Sequence, residues 1–185
     1  MLRKMRGFTL IEMLIVVAII GILAALLIPN AMSALQKARQ KGTMKDINTI
    51  ATAMLDYVTD KGYAPTTATG EIAANDETVQ ALQGFYVKIM PIRDQWGNPF
   101  YVYGGGGCGD NEFGIQLPSG QDDWGNDEFI VGSLGRNGAA GDHTWTDTDL
   151  SLNLYEVNTM NDFNKEIANW NGNLVIGPRA AGGTT

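Results

Sequence analysis

The sequence has little of the chemistry that disulfides, transition-metal sites or nucleic-acid binding require. Its 185 residues include one cysteine, Cys108, and one histidine, His143, so an internal disulfide is impossible and a zinc cluster is not supplied. Positive charge is also scarce, because 13 Lys and Arg stand against 20 Asp and Glu and give a net charge of −7. A chain this acidic lacks the basic surface that DNA or RNA binding needs, and we expect no nucleic-acid partner.

Hydrophobic residues are instead concentrated near the N-terminus. Residues 13–28 carry no charge, and extending this run back to Phe8 adds only Glu12. The run of about 21 residues is long enough to span a bilayer as a helix. Three basic residues within residues 1–6 precede it, so the positive-inside rule places that end in the cytoplasm and the rest outside. Because the run continues to Pro29 without a small-residue cleavage site, we expect a retained membrane anchor and not a conventional secretory signal.

The helical pattern continues beyond the apolar run. Apolar residues recur at spacings of three and four as far as Val58, and Gly62 is a typical C-terminal stop. The pattern predicts one helix of about 54 residues, roughly 80 Å long, that ends at Lys61. We expect residues 8–30 to lie in lipid or against identical copies, and residues 31–62 to present an apolar stripe to a globular head.

Two residues weaken the apolar half of this helix. Pro29 lacks a backbone N–H, and Gly21 has low helix propensity. We expect a kink or local unwinding between these two positions.

Beyond Gly62 the pattern changes from helical to strand-like. A short helix is predicted on a shared apolar face of Val79, Leu82, Tyr86 and Ile89. Strands are predicted at residues 100–103, 113–117 and 129–131. Together these elements predict an α+β fold, in which the long helix packs on the small antiparallel β-sheet of a head domain, residues 63–153.

Residues 154–185 form a C-terminal extension. The spacing of Met160, Phe163, Ile167 and Trp170 predicts a final short helix. A last strand is predicted at residues 174–176, ahead of a flexible tail.

The junction between the basic leader and the apolar run carries a specific motif. The segment Gly7-Phe8-Thr9-Leu10-Ile11-Glu12 is very similar to the processing site of type IV pilins and of the pseudopilins of type II secretion. The resemblance implies that a prepilin peptidase removes residues 1–7 by cutting between Gly7 and Phe8, and that the new amine of Phe8 is methylated. A glycine at this place lets a protease approach the backbone closely.

Glu12 is a carboxylate within the predicted membrane segment. Its unpaired charge costs up to roughly 3 kcal/mol at mid-bilayer and less near the interface. Glu12 lies one helical turn from Phe8, on nearly the same face. The resemblance implies an assembly role, in which Glu12 contacts the Phe8 amine of a neighbouring subunit. The alternative is a side chain that reaches the interface and has no partner.

Two motifs in the head distinguish among filament proteins. Residues 94–101, Asp-Gln-Trp-Gly-Asn-Pro-Phe-Tyr, resemble a signature of major type II secretion pseudopilins, and Ser133-Leu134-Gly135 resembles the start of their calcium loop. The likeness covers about residues 1–153, with a departure at residues 104–127. We interpret the turn at residues 96–99 as structural.

The resemblance implies a structural protein of the type IV pilin-like class and not an enzyme. It implies a subunit anchored in the bacterial inner membrane with its head in the periplasm, where it polymerises into a helical homopolymer, a pseudopilus, that drives protein export. The implied partners are identical copies, the prepilin peptidase, the inner-membrane assembly platform and minor pseudopilins. Two alternatives remain at this point: a type IV pilin for adhesion or motility, and a membrane-tethered periplasmic enzyme that uses Cys108 or His143.

The resemblance also implies a bound calcium ion in the loop from Leu134 to Asp149. The implied ligands are the Leu134 carbonyl, the side chain of Asn137, the carboxylates of Asp147 and Asp149, and Asp142 as an extra ligand. Asn137 stands where the family usually has aspartate, which keeps an oxygen but removes a charge. The alternative is a solvated glycine-rich turn without an ion.

Overall fold

The computed structural model describes residues 7–65, 70–118, 121, 123–146 and 153–179. Two compact units divide the chain into residues 1–37 and residues 38–185, and the division falls inside the first helix. The helices are α1 (Leu10–Lys61) and α2 (Glu77–Leu82), with 3₁₀ helices at Gly105–Asp110 and Met160–Asn164. The strands are β1 (Tyr101–Gly104), β2 (Phe129–Ser133), β3 (Leu154–Tyr155), β4 (Ile167–Trp170) and β5 (Asn173–Pro178).

The long helix predicted from the apolar pattern is confirmed. It begins two residues later than expected, at Leu10, and ends at Lys61. Gly62 follows with a φ of +79°, the left-handed conformation that stops a helix and that glycine adopts without strain. Helix α1 is long and apolar enough to cross a membrane, and its most apolar window is not buried in the protein. The helix continues through Gly21 and Pro29 in the isolated chain, so the kink stays a prediction for the assembled filament.

In the second unit, the C-terminal part of α1 packs on a five-stranded sheet with the strand order β1-β2-β4-β5-β3. The pairs β1–β2, β2–β4 and β4–β5 are antiparallel, whereas β3 pairs with β5 in parallel. The α+β architecture is therefore confirmed, but the sheet is mixed and not purely antiparallel. The reason is that β4 and β5 form a hairpin, while the two-residue strand β3 joins the far edge of that hairpin through a longer connection.

Strand alternation divides the core into two layers. Residues facing α1 include Val102, Phe129, Val131 and Ile167, and they pack with Ile47, Ile50 and Met54 of the helix. Residues on the other face include Tyr103, Ile130, Ala168 and Ile176, and they pack with Phe113 and Ile115. Phe113 and Ile115 are buried in this second layer, but the strand predicted at residues 113–117 is wrong. The segment is a loop, in which the side-chain oxygen of Asn111 accepts hydrogen bonds from the N–H groups of Phe113 (3.1 Å) and Ile115 (3.0 Å).

The C-terminal extension contributes the centre of the sheet. The helix predicted from Met160 to Trp170 is wrong in its second half, because Ile167–Trp170 is strand β4, between β2 and β5. The last strand is confirmed as β5. The short helix predicted up to Ile89 ends earlier, at Leu82, and leaves Ile89 exposed.

Candidate functional site

The predicted processing residues lie in the exposed segment ahead of α1. Gly7 and Phe8 are both exposed, and a Cβ atom added to Gly7 would meet nothing within 4 Å. Packing in the folded chain therefore does not require glycine at this position. The reason for glycine at this position is then the one that the motif indicates, namely that a residue without a side chain lets a protease approach the backbone closely.

Glu12 has a partner in its own chain, which the sequence analysis missed. Its Oε2 accepts hydrogen bonds from the N–H (2.8 Å) and the hydroxyl (2.6 Å) of Thr9, and its own N–H donates to the Thr9 hydroxyl oxygen at 3.3 Å. This reciprocal arrangement is a capping box, and the Thr-x-x-Glu spacing is its signature in sequence. Because Oε1 takes part in none of these bonds, the cap leaves that oxygen for another donor.

The two head motifs, which are about 40 residues apart in sequence, meet in the structure. Asp94 is buried, and its Oδ2 accepts a 2.7 Å hydrogen bond from the hydroxyl of Ser133. Its Oδ1 accepts from the N–H groups of Trp96 and Asn98, both at 2.9 Å. Burial raises the pKa of Asp94, and these hydrogen bonds oppose the rise. Ser133 in turn accepts a bond from the Gly135 N–H at 3.1 Å, so Asp94 fixes the start of the following loop.

Asn98 makes the second connection between the motifs. Its Nδ2 donates to the carbonyls of Gly135 (2.8 Å) and Arg136 (3.3 Å). Gly135 has a φ of +75°, and a Cβ there would lie 2.6 Å from the Lys165 carbonyl oxygen. Only glycine fits this combination of a left-handed backbone and close approach. The Asp94–Asn98 turn and the C-terminal extension therefore both contact the start of the loop at Gly135 and Arg136.

The predicted calcium ligands are only partly within the described residues. Leu134 is buried, and Asn137 donates from Nδ2 to Oδ2 of Asp142 at 2.6 Å. Asp147 and Asp149 lie outside the described residues. In the described ranges, no group of three His, Cys, Asp or Glu side chains could hold a metal ion. The structure thus brings together Asn137 and Asp142 and does not test the other two carboxylates.

A further carboxylate lies against the same loop and was missed from the sequence. The Oε1 of Glu166 accepts from the N–H groups of Gly141 (2.6 Å) and Asp142 (3.0 Å). The side chain is buried, and its Oε2 has no hydrogen-bond partner. Amide, carboxylate and backbone carbonyl oxygens are the donor types that calcium accepts, and the two carboxylates described here are those of Asp142 and Glu166. The partners of Glu166 are 24 and 25 residues away in sequence, which leaves no local signal.

The residues of the enzyme alternative have separate partners. Burial raises the pKa of the Cys108 thiol to about 12, and the thiol donates to the carbonyl of Glu128 at 3.7 Å. Such a thiol stays protonated at neutral pH and is a poor nucleophile. The Nε2 atom of His143 lies 3.3 Å from Oδ1 of Asn153, and the centroid of the His143 ring lies 6.2 Å from the centroid of the Tyr155 ring.

A long apolar helix behind a processing motif, packed on a small sheet, defines a protein of the type IV pilin-like class. Two family models match it: the prokaryotic N-terminal methylation motif over residues 2–28, and type II secretion system (T2SS), protein G, over residues 30–150. The chain belongs to the type II secretion system protein G family, and it is a pseudopilin, a structural subunit of the pseudopilus.

Curated relatives carry the same name. The type II secretion system core protein G of Aeromonas hydrophila is 35% identical over 130 residues, which are 65% of this chain and 90% of that protein. The Vibrio cholerae core protein G is 38% identical over 104 residues, 54% of this chain and 70% of that protein. The Escherichia coli core protein G is 36% identical over 105 residues, 54% of this chain and 72% of that protein. No solved structure matches this chain significantly.

Proposed function

We propose that this pseudopilin polymerises through residues 8–30 into a helical homopolymer, with its head in the periplasm, and that growth of the filament drives protein export. Prepilin peptidase, the inner-membrane assembly platform and minor pseudopilins are its proposed partners. The family assignment favours this function over an adhesive pilus. A single-pass inner-membrane protein also fits the methylation motif followed by an apolar helix.

The observation that carries the proposal is the exposed apolar surface of α1. Large apolar side chains on every side of the helix are exposed between Leu10 and Ile28, from 91% of the residue surface at Leu10 to 43% at Val16. A helix that is apolar all round is stable only in lipid or against other apolar helices. Identical copies supply such helices, and Glu12 supplies the charge that sets their register.

Glu12→Gln tests the assembly role. Glutamine keeps an oxygen that accepts the Thr9 hydrogen bonds, but it removes the charge that would meet the Phe8 amine of a neighbour. We expect unchanged or improved membrane insertion and at least a tenfold loss of filaments. Pairing offsets the cost of a charge in the membrane, up to roughly 3 kcal/mol, and about 1.4 kcal/mol of lost contact already corresponds to tenfold. Membrane fractionation measures insertion, and immunoblotting of sheared filaments measures assembly.

Thr9→Ala is the matched control for this experiment. It removes the cap and keeps the Glu12 charge, so it should assemble at close to the wild-type amount. Normal assembly of Glu12→Gln would show that Glu12 only caps its own helix or reaches the interface without a partner.

We further propose that the 134–149 loop binds one calcium ion through the Leu134 carbonyl, Asn137, Asp142, Asp147 and Asp149. The ion would cross-link a glycine-rich loop in a head that has no disulfide. Asn137 and Asp142 are neighbours in this loop, where the Asn137 Nδ2 donates to Oδ2 of Asp142 at 2.6 Å, and both side chains carry oxygens of the kind that calcium accepts.

Calcium removal should lower the stability of the full-length protein in detergent. A site with a Kd of about 10 µM is stabilised by roughly 2.7 kcal/mol in about 1 mM calcium, which corresponds to a Tm difference of about 5–10 °C. Thermal unfolding in calcium and in EGTA measures this difference, and Asp149→Ala should abolish it. Asp123→Ala, at an exposed acid outside the loop, should keep it. The same Tm in calcium and in EGTA would remove the calcium assignment.

A further inference from the structure

The exposed side chains of α1 beyond its apolar half separate positive from negative charge along the helix. Lys37, Lys41 and Lys45 stand four residues apart, and we call them the basic stripe. Asp56 and Asp60, also four residues apart, follow about three turns after the stripe ends. All five side chains are exposed, and the ion pair found among the described residues lies elsewhere, in the C-terminal extension.

Neither group of charges is neutralised within the helix. No carboxylate stands three or four residues from any lysine of the stripe, and no Lys or Arg stands at these spacings from the two aspartates. Like charges four residues apart destabilise a helix, whereas opposite charges at that spacing stabilise it. Both groups therefore carry charge that a partner outside the helix would offset.

The two aspartates border a surface cleft of about 280 Å³, which Thr59, Phe85 and Tyr86 also line. We call it the acidic cleft. The Tyr86 hydroxyl donates to Oδ2 of Asp60 at 3.1 Å, and the centroids of the Phe85 and Tyr86 rings are 4.8 Å apart. Phe85 is 82% exposed, although it is a large apolar residue. Carboxylates beside aromatic rings suit an ammonium group, which pairs with the former and is attracted to the faces of the latter.

The basic stripe cannot occupy the acidic cleft of its own chain. Lys45 lies 11 residues before Asp56 in the same continuous helix, which separates them by about 16 Å along the axis. The four-carbon stem of a lysine is much shorter than this distance. A second copy of the chain, in contrast, carries a stripe that is free to approach the cleft.

The spacing of the two groups matches between staggered copies. Because both have a period of four residues, two parallel helices can bring two lysines of one copy level with both aspartates of the other. A stagger of 15 residues does this for Lys41 and Lys45, and a stagger of 19 residues does it for Lys37 and Lys41. These shifts correspond to roughly 22–29 Å along the helix, and Lys41 takes part in both.

We propose that the basic stripe of one copy docks in the acidic cleft of the next copy, with Lys41 beside Asp56 or Asp60. The contact joins two different surfaces, so it is heterologous, and its repetition builds an open filament and not a closed dimer. It lies outside the apolar residues 8–30 and adds a second fixed point to the one proposed at Glu12. This inference rests on the polymerisation proposed above.

Cysteine cross-linking of the full-length protein in sheared filaments tests the contact. Two double variants, Lys41→Cys with Asp56→Cys and Lys41→Cys with Asp60→Cys, place one thiol on each surface. Mild oxidation should convert at least one of them into a ladder of disulfide-linked multimers, because a heterologous contact links each copy to two others. Each single variant, and the wild type with its buried Cys108, should stay monomeric on a non-reducing gel.

Charge reversal measures how much the contact contributes to assembly. Reversal of the whole stripe (Lys37→Asp, Lys41→Asp and Lys45→Asp) should lower the yield of sheared filaments at least tenfold, since like charges then meet. Reversal of the cleft (Asp56→Lys and Asp60→Lys) should do the same, and combining the two sets should restore most of the yield. All these positions are exposed, so the variants should unfold in detergent at close to the wild-type Tm.

Arg39→Asp is the matched control, because Arg39 is an exposed cation of the same segment that lies off the stripe, and it should assemble at close to the wild-type amount. Wild-type filaments whose cysteine pairs give no ladder would overturn this contact and leave polymerisation standing. The absence of wild-type filaments would overturn both proposals. A loss of filaments confined to the cleft variant would assign the cleft to a different basic protein and would also overturn the contact between copies.

Discussion

Ending the chain after Asn153 should give a protein that does not fold its head. The truncation removes β3, β4 and β5, so β2 keeps β1 but loses its other antiparallel neighbour, β4, and an inner edge of the sheet is left open. Among the large buried apolar side chains that it removes are Phe163, Ile167, Val175 and Ile176. At about 1.5–3 kcal/mol for each buried side chain, the loss is roughly 6–12 kcal/mol. This is comparable to the whole stability of a domain, about 5–15 kcal/mol.

Proteolysis and circular dichroism of the detergent-purified protein measure this loss. We expect the truncated chain to be cleaved rapidly and to show no cooperative thermal transition. A second truncation, after Arg179, is the control, since it keeps the bonds of Arg179 to the Tyr155 and Leu154 carbonyls and should leave the Tm unchanged. A cooperative transition near the wild-type Tm in the shorter chain would mean that residues 154–185 are dispensable for folding.

Asp94→Ala should strongly destabilise the head. It leaves the Ser133 hydroxyl and the N–H groups of Trp96 and Asn98 without their acceptor in a buried place. Each unsatisfied buried group costs about 1–3 kcal/mol, and partial relaxation brings the expected total to about 3 kcal/mol. The 134–149 loop should also become less ordered, because Ser133 positions the N–H of Gly135.

Denaturant unfolding of the full-length protein in detergent measures this change in free energy. Asp94→Asn keeps one acceptor oxygen and should cost less than the alanine variant. Asp123→Ala, at an exposed position, should change the free energy of unfolding by less than about 0.5 kcal/mol. If Asp94→Ala changed the free energy of unfolding as little as Asp123→Ala, the Asp94–Ser133 hydrogen bond would contribute nothing measurable to stability, and the two motifs would fold independently.

Features with a local origin could be predicted from the sequence. The apolar run determines α1, and Gly62 ends it through a backbone conformation that one residue sets. The Thr9–Glu12 capping box has the same local character, and its Thr-x-x-Glu spacing was available in the sequence. The processing motif is a continuous stretch, which explains why resemblance was enough to recognise it.

Features that depend on distant contacts could not be predicted. The spacings of four and three between Phe163, Ile167 and Trp170 fit one face of a helix. Ile167–Trp170 nevertheless forms a strand, because it pairs with β2 on one side and with β5 on the other. Short apolar runs are ambiguous in this way, because partners elsewhere in the chain decide between helix and strand. The hydrogen bonds of the buried Glu166 have the same origin, since its partners Gly141 and Asp142 lie 25 and 24 residues away in sequence.

The position of β4 in the sheet determines when the head can fold. Ile130 in the interior strand β2 pairs with Trp170, which is 40 residues further along the chain. While the chain is being synthesised, β2 therefore emerges long before its partner and stays an open strand edge, which invites pairing with other chains. The sheet of the head therefore cannot be completed before β4 is available, and a chain that lacks β4 is expected to expose the edge of β2.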